Sequence, residues 1–158
     1  MEQIKKERME LEELYPTIKT VLSMGKDFLL YPNGKSMLPT IRPGIDAVLL
    51  SPPKDLKCGS LILYRRKNGV FVLHRIVAVS PDGSYVLRGD NQYYNEKGIT
   101  PDQVIAVVHR FYRGKREVVC DCARHRAYLL SRKASYPLRC LFVRGIGKIK
   151  RSIKRHGK

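Results

Sequence analysis

Residues 70–79 read Val-Phe-Val-Leu-His-Arg-Ile-Val-Ala-Val. β-Branched and aromatic side chains dominate this run and neither Gly nor Pro interrupts it, which predicts a strand. Alternation places Val72, His74 and Ile76 on one of its faces. Just upstream, Asn68-Gly69 separates it from a second β-forming run, Ser-Leu-Ile-Leu-Tyr-Arg-Arg at 60–66. Asn-Gly between two such runs predicts a hairpin. Further out, the same texture recurs at Asp-Ala-Val-Leu-Leu (46–50), Ser-Tyr-Val-Leu-Arg-Gly-Asp (84–90) and Gln-Val-Ile-Ala-Val-Val-His-Arg-Phe-Tyr (103–112). The breaks Ser-Pro-Pro-Lys-Asp (51–55) and Ser-Pro-Asp-Gly (80–83) are turn sequences. Five or more strands with short connections and no helical pattern between them predict a mainly β, antiparallel, partly closed domain.

The two ends read differently. In residues 1–24, Ile4, Leu11, Leu14, Ile18, Val21 and Leu22 recur at helical spacing, and Gly25 ends the pattern. Pro16 is expected to split this helix or to start a second one at Thr17. From Cys122 onward the helical period returns. Leu138, Phe142, Ile146, Ile149 and Ile153 are spaced by 4, 4, 3 and 4, with Arg144, Lys148, Arg151 and Arg155 on a parallel track. This is a basic amphipathic pattern. The expected organisation is an N-terminal helix (1–25), a β domain (26–120) and a basic amphipathic helical tail (121–158).

Charge is distributed just as unevenly. The 158 residues carry 31 Lys+Arg against 14 Asp+Glu, a net charge of +17. Of these, 16 basic and 2 acidic groups fall in residues 109–158, so nearly all the excess sits in the last third. The remainder has the balance of an ordinary folded domain, and 43% apolar residues argue against a disordered chain. No stretch approaches the roughly 18 apolar residues of a membrane-spanning helix, and the charged N-terminus does not read as a secretion signal. Cys58, Cys120, Cys122 and Cys140 lack the spacing of a disulfide framework, so free thiols in a reducing compartment are expected. Cys120, Cys122 and His125 lack a fourth ligand at usual metal-site spacing, and no metal or cofactor is expected.

Three segments carry chemistry. In Gly34-Lys35-Ser36-Met37-Leu38-Pro39-Thr40 a serine is held between a glycine and a proline, which can fix a hydroxyl in an exposed turn. A serine so placed, with a base, can attack a carbonyl. In Leu73-His74-Arg75 a histidine lies within an apolar strand, where it needs a hydrogen-bond partner and suits a general base. In Arg88-Gly89-Asp90-Asn91 a carboxylate closes a strand and can orient an imidazole. Taken singly, these are a loop serine, a core histidine and a turn aspartate.

In this order the three segments resemble the type I signal peptidases, which share a fold with the self-cleaving SOS and phage repressors. The resemblance runs from about Asp27 to Val108. It implies Ser36 as nucleophile, His74 as base and Asp90 as the third member. Most bacterial members place a Lys where His74 stands; archaeal and endoplasmic-reticulum members place a His. The chain departs from the family in separating Gly44 from Asp46 by Ile45, which is expected to shift the register of the following strand. It also has Gly34 where some members carry a second serine as oxyanion donor, and no N-terminal membrane anchor is expected.

The resemblance implies a serine endopeptidase acting by acyl transfer on a peptide or protein, a leader or signal peptide being one such substrate, bound by strand addition at a sheet edge. The alternative is a catalytically silent or regulatory relative that binds peptide or nucleic acid. The tail's apolar stripe beside its charges favours an anionic membrane surface over nucleic acid as its partner, so the expected location is the cytosolic face of the inner membrane.

Overall fold

The computed structural model describes residues 11–120, 127–131 and 134–137. Its first element, α1 (Leu11–Ser23), buries Ile18 and Leu22 and turns Leu11 and Leu14 partly inward. The helix runs through Pro16 unbroken. The missing proline N–H would have served the carbonyl of Glu12, and both residues are exposed to water. One turn on, the Thr20 hydroxyl donates to the Pro16 carbonyl at 3.0 Å.

Eight antiparallel strands follow: β1 (Phe28–Leu30), β2 (Ala47–Ser51), β3 (Leu61–Arg65), β4 (Phe71–Val79), β5 (Tyr85–Arg88), β6 (Glu96–Ile99), β7 (Val104–Arg113) and β8 (Arg116–Val119). Their order is β1-β2-β7-β3-β4-β5-β6, with β8 also on β7. Val107 and Val108 pair with both β2 and β3, so those strands flank β7 on opposite edges. Sheet order ends at β1 and β6, which do not pair, so among the described residues the sheet is not fully closed. The fold is mainly antiparallel β with an N-terminal helix and short helical pieces at 127–131 and 134–137.

The β3–β4 hairpin forms where Asn68-Gly69 stands. Arg66 N–H donates to the Val70 carbonyl and Gly69 N–H to the Arg66 carbonyl, both at 2.9 Å. Gly69 takes φ +89°, which a side chain would oppose. This turn sets the register Leu61↔Arg75, Ile62↔His74 and Leu63↔Leu73. Cross-strand partners share a face, so His74 lies with Ile62 and Tyr64, and Arg75 lies with Leu61 and Leu63. Two apolar clusters result. Leu61, Leu63 and Leu73 join α1, β1, β2 and Met37 in one. Ile62, Tyr64, Ile76, Leu87 and Val107 form the other. Both faces of β3 are therefore covered, which is why Leu61 through Tyr64 are all buried.

Asp46 is completely buried and accepts from Arg42 N–H at 2.9 Å and from its guanidinium at 2.6 and 3.0 Å. Burial works against the Asp46 carboxylate, and the Arg42 bonds outweigh it, holding its pKa below the usual value. This ties down the turn before β2, whose register against β7 shifts between Leu49 and Leu50. The tail residues Leu138, Phe142, Ile146, Ile149 and Ile153 lie outside the described residues, as do Ile4, Cys122 and His125. No helix among the described residues is long and apolar enough to cross a membrane.

Candidate active site

Ser36 sits in a single 3-10 turn, Lys35–Met37. Met37 is buried in the α1-side core and anchors the turn from below, leaving Ser36 half-buried at the surface. Three hydrogen bonds fix the backbone of this turn. Ile41 N–H donates to the Met37 carbonyl at 3.0 Å, Asn91 N–H to the Ser36 carbonyl at 2.8 Å, and the Asn91 amide to the Lys35 carbonyl at 3.3 Å. Arg113 of β7 holds the exit, donating to the carbonyls of Pro39 and Thr40 at 3.1 and 2.7 Å. The Arg88-Gly89-Asp90-Asn91 turn is thus a seat for the serine turn.

His74 is 1% exposed and lines the same cleft as Ser36. The cleft encloses about 1030 Å³, room for a stretch of extended peptide, and its walls include Leu29, Tyr31, Met37 and Leu73. Nδ1 of His74 lies 3.2 Å from the Tyr64 hydroxyl. That hydroxyl donates to Glu96 Oε2 at 2.8 Å, and Arg66 donates to both Glu96 oxygens at 2.8 and 2.6 Å. Burial pushes the His74 pKa down to about 4, Glu96 opposing and Arg66 assisting, so the imidazole is neutral at pH 7. Burial acts to raise the Glu96 pKa, but the bonds from Arg66 and Tyr64 prevail and keep it below the ordinary range. Burial and Glu96 together raise the Tyr64 pKa, so the phenol keeps its proton.

Asp90 has a different setting from the one expected of a third triad member. Arg75 donates to its two oxygens at 2.9 and 2.8 Å, the Thr40 hydroxyl bonds Oδ2, and Tyr128 in turn lies 2.9 Å from Thr40. Arg75 points to the opposite face of β4 from His74. The group hydrogen-bonded at Nδ1 of His74 is Tyr64, not Asp90. The structure therefore puts Ser36 and His74 on the walls of one cleft and seats the serine turn on the Asp90 turn, but it gives Asp90 to Arg75. No sequence motif marks Tyr64, Arg66 or Glu96 as site residues. Tyr64 carried one signal, lying two residues from His74's cross-strand partner. Glu96 carried none, because Glu-Lys-Gly-Ile does not read as a strand.

The antiparallel sheet thus carries a serine turn and a buried histidine on the walls of one cleft. The Peptidase S24-like family model matches residues 2–111, and the chain belongs to that family. The resemblance drawn from the motifs thus holds at the level of the repressor-type serine peptidase superfamily, to which the type I signal peptidases are related. No curated protein matches the chain.

Proposed function

We propose that the protein is a serine endopeptidase in which Ser36 is the nucleophile and His74 the general base. The observation that carries this reading is one cleft lined by both Ser36 and a buried, neutral histidine. Ser36 Oγ attacks a peptide carbonyl, Nε2 of His74 takes its proton, and the imidazolium returns it to the departing amine. The Ser36 N–H serves the oxyanion, since Gly34 offers no side-chain donor. Water then releases the acyl group by the same path in reverse. Exposed Leu29 and Tyr31, at and beside the edge strand β1, line the cleft and suit an extended apolar peptide added to that edge. A leader or signal peptide is a substrate of this class. The basic tail supports action at the cytosolic membrane face, where its charges meet anionic lipid.

The test is covalent labelling by an acylating serine-peptidase probe, with the adduct mapped by mass spectrometry. Labelling at Ser36 that disappears in Ser36→Ala is expected. A native protein inert to such probes would point instead to a catalytically silent relative that binds peptide.

A further inference from the structure

Tyr64 and His74 are both buried, at 0 and 1% exposure, so each polar atom on them needs a partner. The Tyr64 hydroxyl has a single proton, with Glu96 Oε2 at 2.8 Å, His74 Nδ1 at 3.2 Å and the guanidinium of Arg66, which can only donate, around it. A carboxylate only accepts, so the phenol proton goes to Glu96. The bond to His74 can then run in one direction only, with Nδ1–H donating to the phenol oxygen. Arg66 holds Glu96 as a carboxylate with two charge-assisted bonds, so the polarity of the chain cannot reverse.

We propose that Tyr64 and Glu96 are positioning residues for His74: the chain Arg66–Glu96–Tyr64 fixes the imidazole in its Nδ1–H tautomer and leaves the Nε2 lone pair to receive a proton. This rests on the reading of His74 as general base. It assigns the orienting task to a phenol backed by a carboxylate and leaves Asp90 to the serine turn. When His74 becomes an imidazolium, the phenol dipole and the Glu96 charge behind it stabilise the new charge, and no proton leaves Tyr64.

The tautomer is read by nitrogen-detected NMR of imidazole-labelled full-length protein at pH 7, and acylation by a serine-peptidase probe is timed on the same samples. In the native protein His74 is expected as Nδ1–H with a bare Nε2. Tyr64→Phe keeps the ring in the core but removes the acceptor. The Nδ1–H preference should then be lost, and acylation should slow by about 10–100-fold, the range of a general-base contribution in part withdrawn. Glu96→Gln supplies an amide donor to the phenol oxygen, freeing the phenol proton for Nδ1, and should move His74 towards Nε2–H. A native His74 found as Nε2–H, or an unchanged tautomer in folded Tyr64→Phe, would overturn the proposal. A tautomer that behaves as stated in a protein whose Ser36 resists acylation would sink the peptidase reading alone, and with it the catalytic use of this chain.

Discussion

Gly89 lies against the backbone of Ser36: a Cβ at Gly89 would stand 2.6 Å from the Ser36 carbonyl oxygen and 3.0 Å from its Cβ. The glycine is needed for close approach between two turns that lie 53 residues apart in the chain. The Asn91 N–H bond to the same carbonyl completes the contact. Gly89→Ala is therefore expected to push the serine turn outward. Stability should fall by about 1–3 kcal/mol, as for an overpacked site. Labelling of Ser36 should fall more than tenfold, because a displacement of about 1 Å is costly to reaction geometry. Denaturant melts and labelling rates, read together, check this.

Ser36→Ala should leave the fold intact. The side chain is half-buried and the turn is held by backbone bonds, so the change in stability is expected within about 0.5 kcal/mol. Activity and labelling should vanish. A melt as cooperative as that of the native protein, with no adduct, is the expected pair of results.

The pH dependence follows from the burial of His74. Unfolded, it takes a proton near its ordinary 6.5; folded, only near about 4. Between those values the unfolded chain holds more protons, so its contribution lowers stability as pH falls from about 6.5 to about 4 and vanishes above that window. The rate of Ser36 acylation should be flat across neutrality and lose its base only as pH nears 4. An ordinary histidine would instead place the acid limb between about pH 5 and 8. A pH–rate profile of the free enzyme distinguishes the two.

Asp90 and Arg75 form a buried ion pair, with side chains 9 and 6% exposed. Removing one partner leaves the other charge buried and costs about 3–5 kcal/mol. Asp90→Ala is expected to lose that much in a denaturant melt. The milder Asp90→Asn should melt lower than the native protein yet keep the Nδ1–H tautomer of His74. A changed tautomer in Asp90→Asn would return the orienting role to Asp90.

The tail gives the fifth prediction. Each basic group near an anionic leaflet contributes about 1 kcal/mol. The full chain, with 16 basic groups in residues 109–158, should co-sediment with vesicles containing phosphatidylserine at low salt and leave them at high salt. Indifference to such vesicles, with a salt-sensitive shift of duplex DNA, would assign the tail to nucleic acid.

Local chemistry alone determined much of this molecule. The strands β2, β3, β4, β5 and β7 were legible because each is a run of β-formers bounded by turn residues, and the hairpin because Gly69 must take a positive φ. The serine turn and the buried histidine were legible because Gly, Pro and an apolar strand constrain them within a few residues. Tertiary structure decided the rest. β6 reads as polar and becomes a strand only because β5 supplies its hydrogen bonds, with Tyr85↔Ile99 and Leu87↔Glu96 in register. That pairing carries Glu96 to Tyr64, and no spacing in the chain encodes it. Asp90 was legible as a carboxylate in a turn, but its partner was not. Arg75 and His74 are adjacent in sequence and opposite in direction, and only the packing of the two faces of β4 decides which of them a distant carboxylate meets.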